Sequence, residues 1–369
     1  MSYTFELNNE RKDANFVSGK INEKSAVVEI FSAMANGKDL APYGKKADVA
    51  AKYITELSNK ASMGDEIAKS ELNEIRRFAI QPILMQEIKL LGIFGNYKPL
   101  GFNDTAEIEI PVYANVQASM QALGQDVTFP VIRKERKGIT TTTISGGYAV
   151  DYRKAALGDM TQENEIMEQV RVAIRNKAAK YVVDTIYKAI KDATGVKYFF
   201  EGAGLTKTGV DEVLSKVRRW GKPTVAGDYA LISQFNGFAG YSGVTPTVNG
   251  ISEAVMKEIH DTGLIGMYNG AVLSEIPNPY DLSAMNATND NFATMLDAGL
   301  GFVMPAGAQS PIYTVTRGGL TSCHGLDVTT GTEMTRFDLE VGALVVPGGE
   351  HRIAMIHDTN LDDLATRVQ

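Results

Sequence analysis

Four histidines and one cysteine are the residues of this chain most able to bind a metal or to act as a catalytic base or nucleophile. His351 and His357 are six positions apart, so they would share one face of an extended strand. Together with Cys323, His324 or Asp358 they could build a metal site. No Cys-x-x-Cys or His-Glu-x-x-His spacing is present, however. We therefore interpret these residues as polar strand residues and expect no metal, no cofactor and no catalytic residue.

Three short motifs come near to catalytic signatures. The sequence Gly240-Tyr241-Ser242-Gly243 is one residue short of a nucleophile elbow and is interpreted as a turn. Residues 202–207 are glycine-rich but lack the spacing of a phosphate-binding loop, and we interpret them as a hinge between a long helix and the next domain. Asp362 and Asp363 are expected to be solvated tail residues. The sequence thus predicts no enzyme active site.

Charged and aromatic surface candidates have simpler interpretations. The mixed-sign cluster Lys134-Glu135-Arg136-Lys137 is first a soluble surface, second a contact with a neighbouring subunit and only third a contact with DNA. Trp220 and Tyr181 are predicted to serve packing in a core or an interface rather than ligand binding.

Composition limits the class of protein. The chain has 369 residues, of which 44% are hydrophobic and 22% charged, enough for one or two substantial cores. Its net charge of -7 argues against a wide nucleic-acid grip, which needs clustered lysine and arginine. A single cysteine excludes a disulfide framework. No signal peptide and no membrane span are visible, so we expect a protein made and kept in the cytoplasm before any assembly.

Residues 1–92 are predicted to be helical, because apolar side chains recur at helical spacing in residues 23–35, 48–61 and 66–91. Pro82 should kink or split the last helix, since proline has no amide hydrogen and clashes with the preceding turn. These helices hold few large side chains. They are expected either to pack on another part of the protein or to form an extended arm.

Residues 104–150 change to the two-residue period of strands. Ile108 and Ile110 alternate with polar neighbours, and a second extended run begins at Val127 and continues to about Tyr148. We interpret the segment as a long two-stranded excursion. Isolated two-stranded ribbons are marginal in water, so one of this length is expected to lie on another molecule.

The strongest helix prediction covers residues 161–190, where apolar side chains recur at helical spacing. Asp159 is a good N-cap, and Gln162 completes a capping-box-like pair. Such a helix would be about 45 Å long, and Gly195 would allow the chain to turn after it. Charged residues of the segment, Arg171 among them, are expected largely off its apolar face.

The remainder predicts a mixed α/β region over residues 201–305 and an almost wholly strand-like region over residues 311–358. The predicted elements are helices at 209–220 and 251–260 and strands at 229–233, within 265–276, and at 300–304, 312–315, 320–324, 334–337, 344–346 and 353–357. Residues 339–346 are apolar on both faces after Glu340, which predicts a central strand covered on both sides. Pro347-Gly348-Gly349 predicts a turn.

This order of parts resembles the Hong Kong 97-type fold of tailed-phage major capsid proteins, an α+β fold, over nearly the whole chain. Residues 160–190 look like its spine helix. Residues 262–272, with Gly263-x-x-Gly266 before a strand that ends at Pro277, look like a passage of its A-domain. Residues 337–358 are similar to its closing strand pair.

The resemblance implies a division of the chain into family parts. The parts are a helical N-terminal arm (1–92), the E-loop with the strand entry to the P-domain (93–150), the P-domain with the spine helix (151–200), the A-domain (201–310), a P-domain β segment (311–340), and closing strands with a tail (341–369). Some relatives have a cleaved scaffold segment or Lys–Asn crosslinks. Here the chain begins at Met1, so we expect an uncleaved arm. The expected E-loop tip, residues 119–125, has no lysine, so crosslinking is not carried over.

The resemblance further implies a structural protein of the virion. It would self-assemble in the host bacterial cytoplasm into pentamers and hexamers of an icosahedral head that encloses double-stranded DNA without specific binding. The implied partners are copies of the chain itself, a scaffolding protein, a portal and, as a further candidate, a decoration protein, with no membrane. Two alternatives stay open: an encapsulin-like cellular nanocompartment shell, and a soluble α/β enzyme with an unrecognised site.

Overall fold

A computed structural model describes residues 26–35, 41–90, 95–112, 133–151, 160–238, 264–286, 289–306, 310–327 and 332–364. Several sequence predictions lie outside these residues. They are the capping pair at Asp159, the helix at 251–260 with His260, the turn at 240–243, the strand at 127–132 and the E-loop tip at 119–125.

Three helices precede the first strand: α1 (Ala26–Ala35), α2 (Lys45–Ser62) and α3 (Glu66–Leu90). They match the predicted helices closely, and α3 continues through Pro82, so the proline does not split it. The sequence left two alternatives for this segment, packing on another part of the protein or an extended arm. In the structure these helices pack on the rest of the protein. Phe31, Leu72 and Ile88 are completely buried in the same core as the long helix described next.

The long helix α4 (Met160–Lys191) has 32 residues, two more than predicted, and lies against a four-stranded sheet. The strands of this sheet, in spatial order, are β1 (Asn96–Leu100), β12 (Ile312–Asp327), β13 (Thr332–Val345) and β4 (Thr141–Asp151). β13 pairs with a strand on each side, as the doubly apolar run at 339–346 predicted. The strand pairs predicted at 312–315 with 320–324, and at 334–337 with 344–346, are each one continuous strand.

The long two-stranded excursion predicted for residues 104–150 is wrong for its second half. Residues 141–151 form β4, which pairs with β13 in the core sheet, because Ile144 and Tyr148 on its inner face are buried against the core. Gly146 permits the close approach of α4, since a Cβ there would lie 3.0 Å from side-chain atoms of Val170 and Ile174. Among the described residues of this segment, β2 (Glu107–Val112) and β3 (Arg133–Gly138) form a separate two-stranded sheet, named the ribbon below.

A second sheet of six strands is mixed parallel and antiparallel. Its strands, in spatial order, are β5 (Tyr198–Gly202), β14 (Ala354–Asp358), β11 (Leu300–Ala306), β6 (Lys222–Gly227), β8 (Ala271–Glu275) and β7 (Met267–Tyr268). β5 and β6 were not predicted. Asn269 and Gly270, which both have positive φ angles, form the predicted turn between β7 and β8.

Three short helices accompany this sheet: α5 (Lys207–Val217), α6 (Tyr229–Ile232) and α7 (Gln234–Phe238). The predicted strand at 229–233 is wrong, because Asp228 caps a helical turn there by accepting a hydrogen bond from the amide of Ala230 at 2.7 Å. A last two-stranded sheet consists of β9 (Tyr280–Met285) and β10 (Phe292–Thr294), named the hairpin below.

The two large sheets share one hydrophobic core. Phe302 and Met355 of the six-stranded sheet lie in the same buried cluster as Ile174 of α4 and Phe337 of the four-stranded sheet. The opposite face of the six-stranded sheet packs on α5 in a second cluster. A sheet covered on both faces is buried throughout its central strands, which agrees with the buried pattern of all five residues of β14.

We predict that Phe31→Ala lowers the free energy of unfolding by about 3–5 kcal/mol, because it removes a buried aromatic ring from the shared core. Ile67→Ala is the control, since Ile67 is 62% exposed on α3 and its truncation should change stability by less than about 0.5 kcal/mol. The measurement is urea unfolding followed by circular dichroism. Equal, small effects of both substitutions would mean that α1 does not pack on the core.

Candidate functional site

The histidines and the cysteine do not converge. Cys323 and His324 are neighbours on β12 and therefore point to opposite faces of the sheet, so they do not form a nucleophile–base pair. The predicted shared face of His351 and His357 is wrong, because His351 lies in a 3-10 turn (Glu350–Arg352) and only His357 lies in a strand. Among the described residues, no group of three or more histidine, cysteine, aspartate or glutamate side chains could hold a metal ion.

His357 and Asp358 act inside the fold. The His357 ring is fully buried, with Nδ1 at 3.2 Å from Oε1 of Glu201. Asp358 accepts hydrogen bonds from the amide of Gly204 at 2.7 Å and from Nε2 of Gln234 at 2.6 Å. The Asp358 carboxylate therefore binds the backbone of the glycine-rich loop at residues 202–207. This loop joins β5 to α5, and its interpretation as a hinge between the long helix and the next domain stays a prediction.

The described part of the chain has an open depression of about 690 Å³ on the exposed face of the four-stranded sheet. Its lining is mainly small residues, including Gly147, Ala149 and Gly325, beside Cys323 and Met334. The Arg336 guanidinium on this face donates from Nε to Asp338 at 2.7 Å. Small side chains in an open depression leave nothing to enclose a reacting group, so this surface suits a contact better than catalysis.

A buried ion cluster joins α3 to α4. Arg171, only 8% exposed, forms an ion pair with Glu87 of α3 and donates from Nε to Oε2 of Glu168 at 2.8 Å. Nη1 of Arg175 lies 3.5 Å from Oε1 of Glu87. The hydrogen bond from Arg171 lowers the pKa of Glu168. The expectation that Arg171 lies off the buried face is wrong, and its buried charge is compensated by these partners, as a buried charge must be.

A second buried cation joins α3 to β13. Nη1 of Arg76 lies 3.2 Å from Oε1 of Glu333, and the arginine side chain is 3% exposed. Within the helices, Tyr53 of α2 donates to Oε1 of Glu71 at 2.5 Å. These polar contacts fix how the N-terminal helices meet the sheet and the long helix, because each separated partner would leave an unpaired polar group in the core.

The ribbon carries the predicted charge cluster. Oε2 of Glu109 lies 3.3 Å from Lys134, and Oε1 lies 3.5 Å from Arg136; Lys137 pairs with Glu135 at 2.8 Å. The hydrogen bond from Lys134 lowers the pKa of Glu109. Ile108 is buried below the ribbon with Ile139 and other apolar residues. The outer face is thus a mixed-charge surface, and nucleic-acid binding stays the weaker hypothesis for it.

The two aromatic candidates are found at different depths. Tyr181 is partly buried and donates to the carbonyl oxygen of Thr140 at 3.3 Å. Trp220 is 42% exposed, with its ring 4.9 Å from that of His351 and 5.5 Å from the Arg352 guanidinium carbon.

The hairpin was missed in the sequence. Tyr280, Leu282, Met285 and Phe292 are all exposed on it. The one sequence feature that could have marked it is the absence of lysine and arginine from residues 264–316. No helix among the described residues is long and apolar enough to cross a membrane.

These surfaces define the class. The subunit has a well-packed core, and the exposed apolar side chains of its described residues are spread over the two small β-sheets, the open sheet faces, the loops and the N-terminal helices. That is the arrangement of a structural protein that contacts neighbours at several places.

The chain belongs to the family described as "SPbeta prophage-derived putative capsid protein YonB", which matches residues 7–357. It is therefore a phage capsid protein, and the predicted class, the α+β fold and the capsid function are confirmed. The match also favours the phage interpretation over the cellular nanocompartment. No curated protein sequence is similar enough to be recognised as a relative.

Three solved structures illustrate the similarity of fold. The capsid of the cyanophage P-SCSP1u has a TM-score of 0.47 at 12% identity, over 72% of this chain and 86% of that chain. The structure of Microbacterium phage Oxtober96 has a TM-score of 0.47 at 12% identity, over 72% and 89%. The encapsulin of Synechococcus elongatus has a TM-score of 0.43 at 13% identity, over 76% of this chain and 91% of that chain. All three scores lie below 0.5, so the class rests on the family match.

We predict that Glu168→Gln lowers the free energy of unfolding at neutral pH by up to about 1 kcal/mol, since the carboxylate is more than a third exposed and screened. The folded-state pKa of Glu168 lies below the ordinary 4.5, so its contribution is present above that pH and is lost as the pH falls through the lowered value. The measurement is urea unfolding over a pH series.

The difference between the variant and the wild type should therefore shrink in acid. Glu165→Gln is the control, because Glu165 is exposed on the same helix and has no ion-pair partner among the described residues. It should change stability little at any pH. A Glu168→Gln effect that stays constant well below pH 4.5 would contradict the role of this carboxylate.

Proposed function

We propose that this chain is the major capsid subunit of a tailed-phage head, that it assembles into pentamers and hexamers of an icosahedral shell, and that the shell encloses double-stranded DNA. The observation that carries the proposal is the match of the capsid family over residues 7–357. The net charge of -7 agrees with a container wall that holds DNA without specific binding.

The form of the subunit supports assembly. A shell requires each subunit to present several different surfaces, and closed symmetry makes these surfaces mutually consistent. In the part of the chain that the structure describes, the ribbon and the hairpin are two-stranded sheets whose outer edges pair with no further strand, and such sheets are marginal alone in water. Contacts with neighbouring copies would stabilise them, and many weak contacts acting together would hold the shell.

The division into family parts is likewise proposed. The ribbon would be the base of the E-loop (93–150), and α4 would be the spine helix of the P-domain (151–200). The central strands of the six-stranded sheet, with α5, would belong to the A-domain (201–310). β12 would lie mainly in the P-domain β segment (311–340) and β14 among the closing strands (341–369). The helices of residues 26–90 would belong to the N-terminal arm, with their inner faces held on the spine helix by the Arg171 and Phe31 contacts described above.

The partners and the location complete the proposal. We infer that a separate scaffolding protein and a portal act with the shell, with a decoration protein as a further candidate. We also infer that assembly takes place in the cytoplasm of the host bacterium and that the mature chain resides in the virion. The role is structural and includes no catalysis.

We predict that the purified protein forms uniform polyhedral shells or hexameric tiles in negative-stain electron microscopy, alone or with co-expressed neighbouring phage genes. Shortening the chain between Gln117 and Phe129 should abolish these shells while the subunit stays folded, because the excursion would no longer reach a neighbour.

Circular dichroism and thermal unfolding of the shortened variant supply the folding control. Met63→Gln is a matched assembly control, since Met63 is 85% exposed on the turn after α2, and it should form shells normally. A small discrete oligomer of the wild type under every condition would contradict the capsid proposal. Normal shells from the shortened variant would contradict only the assignment of the E-loop.

A further inference from the structure

The hairpin exposes an apolar surface that the subunit does not cover. Leu282 is 75% exposed and Tyr280 is 54% exposed, and Met285 and Phe292, which pair across the two strands, are 45% and 41% exposed. Large apolar side chains that are exposed together on one small sheet mark an interaction site. In a single subunit their exposure to water is unfavourable, and contact with a partner would remove it.

Hydrogen bonds hold this surface in place. At the tip, the Asn286 side chain donates to Asp290 at 2.6 Å and accepts from the amides of Asp290 and Asn291. At the base, Nδ2 of Asn278 donates to Oδ2 of Asp228 at 2.8 Å, and its Oδ1 accepts from the amide of Leu296. A surface ordered before contact loses little conformational entropy on binding.

The hairpin is also acidic. Asp281 and Asp290 lie on it, and residues 264–316 contain no lysine or arginine. Hydrogen bonds from the hydroxyl and the amide of Ser283 lower the pKa of Asp281, and the charges of Lys180 and Lys177 on α4 lower it further. Beyond these two lysines, a partner surface that complements the hairpin would be apolar in part and positively charged, with a site for large side chains.

One surface of the same chain fits that description. Trp220 is 42% exposed beside His351 and Arg352, and its chain neighbours Arg218, Arg219 and Lys222 are exposed cations. These six residues are named the tryptophan patch. An exposed aromatic ring among arginines is the composition found at the energetic centre of protein interfaces.

The hairpin and the tryptophan patch lie at opposite ends of the strands of the six-stranded sheet. β6 starts at Lys222, next to the patch, and ends at Gly227, which pairs with Glu275 at the end of β8 just before the hairpin. Six residues of strand span about 20 Å. Within one subunit the hairpin therefore cannot reach the tryptophan patch. The hairpin of a second subunit placed end to end can reach it.

We propose that the hairpin of one copy docks on the tryptophan patch of the next copy, in a head-to-tail contact that repeats around a ring. A contact between two different surfaces of identical chains is heterologous, and it closes into a ring when the rotation between copies allows it. A hairpin-to-hairpin contact would instead bring two acidic hairpins together, each with Asp281 and Asp290. The inference rests on the proposed shell function and identifies one contact by which its capsomers close.

Disulfide trapping in assembled particles tests the contact. Cys323 is first replaced by serine, and then Leu282→Cys and Arg219→Cys are introduced singly and together. Cysteine keeps a small apolar side chain at position 282, and the other cations of the patch remain, so these variants are expected to assemble. Particles are treated with a mild oxidant and separated on a denaturing gel. The double variant should form a ladder of linked chains, since disulfides join Cα atoms within about 7 Å and the two positions are too far apart within one subunit.

Mixtures of the single variants determine the geometry. Co-assembled Leu282→Cys and Arg219→Cys chains should give dimers and no longer products, and each single variant alone should stay monomeric on the gel. Dimers from Leu282→Cys alone would overturn the inference in favour of a hairpin-to-hairpin contact. Monomers only, from double-variant particles of normal appearance, would also overturn it while leaving the shell function intact. Absence of particles from the wild type would instead refute the shell function itself.

An independent variant measures the apolar part of the contact. Leu282→Gln keeps the hairpin but removes its most exposed apolar group, and the yield of closed particles should fall at least severalfold. Ile67→Gln, which changes a similarly exposed side chain on α3, should assemble as the wild type does. Equal particle yields for both variants would count against the docking of the hairpin.

Discussion

The burial of the long helix α4 is the constraint on which the rest of the structure depends. A helix of 32 residues with apolar side chains along most of its length cannot remain in water. Here the N-terminal helices, the four-stranded sheet and one face of the six-stranded sheet all contribute side chains to the cluster around it. Because one helix contacts all three, the subunit has a single continuous core, and the positions of its layers are set relative to this helix.

Charge inside that core adds specificity to the packing. Apolar contacts alone would tolerate a shift of α3 along α4, since hydrophobic attraction has no direction. Arg171 with Glu87, and Arg76 with Glu333, tolerate no such shift, because a displaced partner leaves a desolvated charge unpaired. These pairs explain how helices with few large side chains dock in one register on the rest of the subunit.

What remains outside the core is distributed in a way that suits assembly. The ribbon and the hairpin extend from different parts of the fold, one with mixed charge and one acidic and apolar. The tryptophan patch supplies the cationic aromatic surface at the other end of the six-stranded sheet. A subunit whose interaction surfaces differ from each other can be surrounded by copies of itself without any surface meeting its like.

The sequence by itself determined the elements whose information is local. Helical periodicity located α2, α3 and α4 to within a few residues, and strand alternation located β2 and the strands of the closing region. The order of these parts was enough to identify the capsid class. Failures came where a short segment was decided by its surroundings: residues 229–233 are apolar enough for a strand, yet the Asp228 cap makes them helical.

Only the tertiary structure decided which strands pair and which charges are buried. β4 was predicted as part of an excursion because its alternation is that of any half-buried strand, and the partner that buries it, β13, lies almost 200 residues further along the chain. Arg171 and the hairpin were missed for the same reason. Contacts between distant segments decide whether an arginine forms an ion pair and whether a leucine is buried or exposed. Local sequence patterns do not encode these contacts.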